Sequence, residues 1–525
     1  MAESNAIPIA PQSAQATPAR RIAHWLGIGL LGAGMFWVAT LMFINGDLIF
    51  AVGMTFLAGV VLYVYLNPRI YVGRYVFPGL AAIGIFTLFP LLYSVYISFT
   101  NYGDGHMLTY DRATQYHLSR TYLDEDGVYD FELYPTEDDS EFRLVFRRDN
   151  DKFVSEPINL GAIREGQRPV HETSLTEAGA MGADPLALRD VLANRSGLQR
   201  VVIELPHGTE LRYSGPRAFG ALRERYEPDA DDPHRLHDLQ TGGYIQADFE
   251  RGYYVDNEGN RVRPGFTTQI GFANYTRIFT DRGMLAPFFE IFIWTMFFGA
   301  ATVFFAYGLG VTLACLLNWK LIRGSVIYRI MMILPYAVPA FISIQIFRGL
   351  FNQNFGEINL ILEALFGLRP AWFTEPGLAR TMVLMTNIWL GYPYMMILAL
   401  GMLQSVSDDL YEAAHIEGSG VLNNFFRITL PLITKPLIPL LIAAFAFNFN
   451  NLVIIQLLTE GGPNIVGSNP SAGHTDLLVN YAFRLAFQDG TQEFGLAAAI
   501  TTLIFLLVAG LSMFYIRYAK VEMAR

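Results

Sequence analysis

The residues best suited to chemistry lie in two long apolar stretches that carry carboxamide side chains. The first stretch reads TNIWLGYPYMM. Its positions i, i+3, i+4 and i+7 share one face of a helix, and they are Asn387, Leu390, Gly391 and Tyr394. The sequence therefore predicts a helical face that combines an amide, an aromatic ring and the clearance of a glycine.

The second stretch, AFAFNFNNLVIIQLL, repeats this combination of side chains. The same helical spacing selects Ala444, Phe447, Asn448 and Asn451. Asn450 points elsewhere, because two residues turn a helix by about 200°. We therefore expect two converging polar stripes on neighbouring helices.

Amides and rings in this pattern favour an uncharged, polyhydroxylated ligand. Amides both donate and accept hydrogen bonds, and an aromatic face can lie against the C–H side of a ring. No acid or base lies within either stretch, which argues against an ionic substrate or a proton relay. The alternative is that these asparagines join neighbouring helices, at about 1 kcal/mol per hydrogen bond.

A polar loop at residues 404–435 separates the two stretches. Ser407 can cap a helix there, and Gly418 is suited to end it. We predict a second short helix at about residues 422–428, ending before Leu430 and Pro431, where the next apolar stretch begins.

Small residues give this loop a low-relief surface that suits close approach by another protein. The residues that we expect to form this surface are Ala413, Ala414, Gly418 and Gly420. Glu412 would supply one charge for an arginine of the partner. The alternative is an ordinary helical hairpin on the membrane surface.

Composition shows which kind of chain must position these residues. Apolar residues make up 52% of the 525 residues and charged residues only 16%, whereas soluble domains carry about a quarter charged residues. Runs of about 20 apolar residues span a bilayer, and eight uncharged runs occur at residues 25–44, 48–66, 76–99, 291–317, 330–347, 381–403, 436–458 and 494–515. We predict an all-α polytopic membrane protein with eight transmembrane helices.

The distribution of basic residues predicts the orientation in the membrane. The short segments on one side carry twelve Lys and Arg residues, and those on the other side carry only four. By the positive-inside rule both termini, and the loop at residues 404–435, are cytoplasmic.

A large segment is inserted after the third span. Residues 101–285 hold 32 of the 47 acidic and 21 of the 37 basic residues, a net charge of −11. Alternating runs at residues 141–146, 201–206 and 252–257 predict strands, so we expect a β-rich, extracytoplasmic domain. The predicted domains are a disordered tail (1–24), three spans (25–100), the inserted domain (101–285) and a core with five spans (286–525).

The chain lacks the motifs of an enzyme. A P-loop requires a lysine after a glycine, and none of the four lysines follows one. Neither H-E-x-x-H nor G-x-S-x-G occurs. We therefore predict no catalytic residue, no metal site, no cofactor bound by this chain and no nucleic-acid partner.

Longer motifs resemble a known family. The loop pattern EAA, three residues before Gly418, and then I-x-L-P at residues 428–431 is similar to the signature loop of ABC importer permeases. The runs RIMMILPYAVPAFISI, NIWLGYPYMM and FAFNFNNLVIIQLLTEGGP, together with the insertion after the third span, resemble the larger membrane subunit of maltose/maltodextrin importers (the MalF type).

The resemblance implies roles for particular residues. The family's sugar site lies within the membrane, at positions that match Asn387, Leu390, Gly391, Tyr394, Phe447, Asn448, Asn451 and, less strongly, Tyr336. Ala340 and Ala444 stand where related permeases carry serine. The inserted domain is implied to have an immunoglobulin-like core.

The resemblance also implies partners in a bacterial inner membrane. These are a second permease subunit (MalG type), a dimer of ATPase subunits (MalK type) that binds ATP and Mg²⁺, the periplasmic maltose-binding protein, and maltose or maltodextrin. A secondary carrier for a neutral solute is the main alternative, but it should show charged residues within its spans and a repeat between its halves. A receptor that signals through the 404–435 loop is a third class.

Overall fold

A computed structural model describes residues 18–70, 72–136, 141–148, 151–161, 170–171, 176–177, 184–204, 210–319, 322–490 and 492–523. Residues 1–17 of the predicted tail lie outside these ranges. The chain forms two compact units, Met1–Tyr93 and Ser94–Arg525, which we describe separately.

The first unit is helical because its runs are apolar and almost free of charge. Helices α1 (Pro18–Ile44) and α2 (Leu48–Leu66) form a hairpin, and Gly46 turns the chain with a φ of 81°. Helix α3 (Gly73–Ile83), a π-helical turn (Gly84–Leu88) and α4 (Phe89–Ser98) follow, and α4 leads into the second unit. Helix α1 begins seven residues before the start predicted at Trp25.

The second unit begins with the β-rich insertion, which confirms the predicted inserted domain as β-rich. Its elements are α5 (Tyr110–Leu118), β1 (Thr121–Pro135), β2 (Phe142–Arg148), β3 (Asp151–Val154), β4 (Val170–His171), β5 (Thr176–Glu177), α6 (Leu188–Ala193), α7 (Arg195–Leu198), β6 (Val202–Glu204), β7 (Glu210–Gly215), β8 (Ala218–Glu224), β9 (Tyr226–Pro228), β10 (Arg235–Asp238), β11 (Gly243–Asp248), β12 (Tyr253–Asp256) and β13 (Arg261–Val262). Strands β2, β6 and β12 lie in the three runs predicted as strands, although residues 205–206 of the second run are outside the described ranges.

The strands form two sheets. One has eight strands in the order β4-β6-β7-β8-β1-β2-β3-β5, and the other is a five-stranded antiparallel meander, β13-β12-β11-β10-β9. Leu133, Leu144 and Phe146 are buried in the core of the larger sheet, while Tyr254 and Phe266 lie in a separate core on the smaller one. The immunoglobulin-like core remains a prediction.

The rest of the second unit is helical. Its helices are α8 (Ala273–Thr280), α9 (Arg282–Leu317), α10 (Ser325–Ala337), α11 (Ala340–Leu350), α12 (Glu357–Phe366), α13 (Pro376–Leu403), α14 (Asp408–Ile416), α15 (Val421–Asn424), α16 (Leu430–Phe449), α17 (Leu452–Leu458), α18 (Leu478–Phe487) and α19 (Phe494–Met523). A π-helical turn, Phe425–Thr429, joins α15 to α16.

The described residues contain six helices that are long and apolar enough to span a membrane, or seven if one bent pair counts as a span. The eight predicted spans are therefore not confirmed. The run at 330–347 is not one straight helix, since α10 and α11 meet at 90°. Pro339 explains this break, because a residue before proline avoids the helical region and Val338 is extended, with ψ of 131°.

A buried histidine lies beneath the five-stranded meander. The side chain of His117 on α5 is fully buried, and its Nε2 donates to the carbonyl oxygen of Pro264 at 3.1 Å. Burial, together with the charges of Arg120 and Arg225, lowers the pKa of His117 to about 4, although the hydrogen bond to Pro264 opposes this shift. The folded domain therefore holds a neutral imidazole at pH 7.

Because His117 is neutral in the folded chain, we expect the inserted domain to lose stability in acid. Between about pH 6.5 and pH 4 the unfolded chain binds a proton that the folded chain does not, so the stability of the domain should fall by up to about 3 kcal/mol as the pH falls. Proteolysis of the full-length chain in rising urea, repeated across this pH range, measures the change. In His117→Gln the loss should shrink, whereas the exposed His234→Gln should behave like the unaltered chain. An identical pH profile for His117→Gln would contradict the assignment.

Candidate functional site

Three helices bring polar side chains together in an apolar interior. The amide of Asn387 on α13 donates to Oδ1 of Asn448 on α16 at 2.7 Å and to Oγ1 of Thr302 on α9 at 3.1 Å. Asn387 is only 4% exposed, and the other two side chains are also buried. We call these three residues and Asn451 the amide cluster.

Asn451 belongs to this cluster, but it lies at the start of a new helix, which the sequence did not predict. The predicted helix over residues 436–458 ends at Phe449, and Asn451 instead caps α17, its Oδ1 accepting from Ile454 N at 3.4 Å. Asparagine side chains compete for backbone groups and so favour helix ends. The Nδ2 of Asn451 nevertheless lies 3.4 Å from Oδ1 of Asn387.

Close packing fixes the helices that carry the cluster. A Cβ added to Gly310 on α9 would lie 2.7 Å from the backbone nitrogen of Met396 on α13, so only glycine permits this approach. The hydroxyl groups of Tyr307 and Thr434 lie 2.9 Å apart and join α9 to α16. The cluster is therefore held by contacts on two sides.

The other predicted site residues do not reach the amide cluster through hydrogen bonds in the described part of the chain. Tyr394, Tyr336 and Phe447 are exposed by 37%, 59% and 72%. Leu390 is half-buried against a core, and a Cβ on Gly391 would only touch Ala306 at 3.5 Å. The amides therefore face inward, and the rings face outward.

Sequence reasoning missed Thr302 as a member of the cluster. The available signal was its spacing from Thr295, since residues seven apart share a helical face. Thr295 is also buried, and its Oγ1 accepts from Leu478 N at 3.0 Å. Two threonines on one face of a long apolar helix mark the side that packs against α13 and α18.

A second polar group that the sequence did not predict lies nearer the N-terminus of α9. Oε1 of Glu290 accepts from Nη2 of Arg380 at 2.7 Å and contacts Nδ1 of His474 at 2.6 Å. The guanidinium of Arg380 also lies over the ring of Trp294, 5.1 Å from its centroid. These contacts attach the loop that contains His474 to α9 and α13.

A buried ion pair also holds this loop, which connects α17 to α18. Arg484 contacts Oδ2 of Asp476 at 3.1 Å, and its Nη2 also donates to the carbonyl oxygen of Glu460. Burial raises the pKa of Asp476 to about 6, and the charge of Arg484 opposes that rise. Arg484 thus anchors the loop near its start, at Glu460, and near its end, at Asp476.

The loop at residues 404–435 forms the helix that was predicted after Ser407. Oγ of Ser407 accepts from the backbone nitrogen of Asp409, and Gly418 has a φ of 77° just beyond α14. Glu412, Ala413 and Gly418 are exposed, while Ala414 is partly exposed. The predicted low-relief surface is therefore accessible.

The predicted end of the second loop helix is wrong. Val421–Phe449 is a single helix, so the helix continues through Leu430 and Pro431 without a break. Proline donates no hydrogen bond and crowds the carbonyl group four residues earlier. The π-helical turn at Phe425–Thr429 accommodates this defect.

Large apolar side chains, which the sequence analysis did not single out, surround this surface. Ile416 is 86% exposed, and Val421 and Leu422 are almost as exposed. Several large apolar side chains exposed within a few residues of one another favour an interaction surface. The loop is also braced, since the hydroxyl of Tyr411 lies 2.9 Å from that of Thr429.

Comparison with known proteins defines the class of this chain. Residues 306–519 match the family described as the binding-protein-dependent transport system inner membrane component, and residues 108–271 match the P2 domain of the maltose transport system permease protein MalF. Together with the apolar helices, these matches define a multi-pass membrane permease component.

Relatives match the chain over nearly its whole length. The maltose/maltodextrin transport system permease protein MalF of Yersinia pestis is 45% identical over 95% of this chain and 94% of its own. The MalF protein of Escherichia coli K12 is 44% identical over 95% of this chain and 96% of its own. The chain therefore belongs to the MalF family of transport system permease proteins.

One solved structure is more distantly similar. A bacterial alginate ABC transporter, in complex with its alginate pentasaccharide-bound periplasmic protein, is 21% identical over 49% of this chain and 83% of that chain. Its TM-score of 0.39 is too low to support a conclusion about individual residues.

We expect that replacing an asparagine within the amide cluster lowers stability more than replacing one outside it. Asn387→Ala leaves Oδ1 of Asn448 and the hydroxyl of Thr302 without their donor, which should cost about 1 kcal/mol. Thermal unfolding in detergent measures this loss. Asn450→Ala is the matched control, since among the residues that the structure describes Nδ2 of Asn450 bonds only to the carbonyl oxygen of Ala446 in its own helix. Equal stabilities of the two variants would contradict the cluster's role.

Proposed function

We propose that this chain is the larger permease subunit of an ATP-driven importer of maltose and maltodextrins, and that it forms part of the sugar path. The observation that carries this proposal is the 44–45% identity with maltose/maltodextrin permeases across almost the full length of both chains. The two amide-bearing helices, which meet in one cluster, support it.

The proposed sugar site uses the outward rings together with the inward amides. Its members are Asn387, Leu390, Gly391, Tyr394, Phe447, Asn448, Asn451 and Tyr336. Exposed rings support stacking on a sugar face, because an aromatic side chain contributes contact area at little entropic cost. Asn448 uses one donor and one acceptor position, so a second of each is free for hydroxyl groups. A second permease subunit (MalG type) completes the path beside the exposed rings.

Coupling to ATP hydrolysis is assigned to the loop at residues 404–435. Glu412, Ala413, Ala414 and Gly418 form the contact with a dimer of ATPase subunits (MalK type), which binds ATP and Mg²⁺. The exposed side chains of Ile416, Val421 and Leu422 support this role, because a cleft in a partner would remove them from water. In this proposal the partner subunits supply the ATPase site, and this chain binds no cofactor of its own.

The inserted domain is assigned to the opposite side of the membrane. Both termini are cytoplasmic in this proposal, in line with the twelve basic residues against four in the short segments. The acidic inserted domain then faces the periplasm and docks the maltose-binding protein. The sugar passes from that protein to the amide cluster when the ATPase dimer closes.

Removing an exposed ring should weaken transport. In Phe447→Ala and Tyr394→Ala, loss of ring contact with the sugar should lower maltose uptake about fivefold or more. Uptake of labelled maltose by cells with equal amounts of the permease in the membrane measures this effect. Phe304→Ala is the control, since Phe304 is an exposed ring on α9 outside the proposed site. Unaltered uptake in both site variants would refute their contact with sugar.

Charge reversal in the loop should uncouple the transporter. Glu412→Lys should abolish sugar-stimulated ATPase activity, because a lysine would repel the arginine expected in the partner, while membrane insertion remains intact. Glu357→Lys, an exposed change at the start of α12, should retain coupling. ATPase assays on the reconstituted complex test both variants. Full stimulation in Glu412→Lys would remove the loop from the proposal, but it would leave the sugar site unaffected.

A further inference from the structure

A polar cavity of about 430 Å³ lies where the inserted domain meets the membrane helices. Four parts of the chain line it: residues 100–106 just after α4, the strand region around Tyr253, Arg261 and Arg263, helix α8 with Ile270 before it, and the turn before α19 with the first residues of that helix. The proposed transport function does not use this cavity, which is separate from both the amide cluster and the 404–435 loop.

The cavity lies at the height of the lipid headgroups. Arg517, near the other end of α19, is 23 residues from Phe494, which a helical rise of 1.5 Å converts to about 35 Å. The hydrocarbon core is about 30 Å thick, and the headgroup layers extend the bilayer to 40–45 Å. Phe494 and the adjoining cavity wall therefore lie within a headgroup layer.

Aromatic rings beside the cavity support this height. The rings of Phe99 and Phe272 lie 5.1 Å apart, those of Tyr102 and Phe494 lie 5.6 Å apart, and the hydroxyl of Tyr275 contacts Oγ of Ser98. Tyrosine side chains gather at the interface between membrane and water, so Tyr102 and Tyr275 support a position of the cavity at this interface.

The charges on the cavity wall favour a ligand that has both signs. Arg261 and Arg263 are exposed, and in the described part of the chain neither has an ion-pair partner, although Arg261 lies over the ring of Tyr253. Asp104 on the same wall is also exposed. Arg277, by contrast, is already paired with Glu493 at 2.6 Å. Two cations and one carboxylate thus remain available.

Hydrogen bonds and close packing hold the cavity wall in place. The amide of Asn274 donates to the carbonyl oxygens of Ser98 and Thr100, both at 2.9 Å. A Cβ on Gly495 would lie 2.4 Å from the carbonyl oxygen of Thr100. Since these contacts join α4, α8 and α19, the cavity keeps its shape without a ligand.

We propose that this cavity binds the phosphoethanolamine headgroup of a membrane phospholipid. The phosphate pairs with Arg261 and Arg263, whose guanidinium groups match phosphate oxygens. The ammonium group donates hydrogen bonds to the carboxylate of Asp104. A choline headgroup, whose nitrogen carries no hydrogen, cannot make those bonds, so the site distinguishes the two zwitterionic lipids.

Native mass spectrometry of the full-length chain in detergent tests this proposal. Phosphatidylethanolamine, phosphatidylcholine and phosphatidylglycerol with identical acyl chains are the probes. We expect the ethanolamine lipid to be retained about fivefold more than the choline lipid, since a charge-assisted hydrogen bond distinguishes them. Equal retention of all three lipids, or a preference for the glycerol lipid, would overturn the proposal.

Variants test the ammonium-binding and the phosphate-binding residues of the site separately. Asp104→Asn should remove the preference for ethanolamine over choline, and Arg263→Gln should lower retention of every phospholipid. Arg282→Gln is the matched control, because Arg282 is exposed nearby but does not line the cavity. Retention that is unaltered in Arg263→Gln, or lowered equally in Arg282→Gln, would contradict the assignment.

A soluble probe identifies the source of the headgroup. Glycerophosphoethanolamine carries the same charges without acyl chains, and we expect it to displace the lipid only at concentrations at least about tenfold higher. Displacement by this compound or by inorganic phosphate at concentrations equal to those of the lipid would show a site for free phosphate compounds, and would overturn a lipid site.

Discussion

A carboxamide in an apolar membrane interior must find a partner within the protein, because hydrocarbon offers none. Asn387 meets this constraint by donating to both Asn448 and Thr302. These bonds require α9, α13 and α16 to keep one relative register, and the tight contact at Gly310 prevents α9 and α13 from separating without loss of packing. The proposed sugar path therefore lies beside helices whose relative positions are set by a few polar groups.

One of these helices connects the cluster to the 404–435 loop. The helix from Val421 to Phe449 is continuous, so its 29 residues extend about 42 Å from the exposed apolar patch to Asn448. Tyr411 braces α14 against the same helix through Thr429. In the proposed coupling, movement of the loop is transmitted to Asn448 along this continuous helix, and the π-helical turn at Phe425–Thr429 is where the helix can adjust.

Much of this could be predicted from local patterns, and the failures have physical causes. The capping role of Ser407, the strands β2 and β12, and most apolar helices followed from periodicity and from helix-capping preferences. Asn451 was predicted to continue a helix, because a periodic pattern shows a face but not where competing side chains end it. Thr302 was missed because its partner Asn387 is 85 residues away in sequence. The exposure of Ile416 could not be predicted either, since an apolar residue in a short helix usually packs inward.

Asn387 and Asn448 act as one unit that couples α13 to α16. A double-mutant cycle with Asn387→Ala, Asn448→Ala and both together, read out as the free energy of unfolding in detergent, is the sharpest test of this coupling. We expect the double variant to lose about 1 kcal/mol less than the sum of the two single losses. Strictly additive losses would show that the two amides act independently and that no such coupling exists.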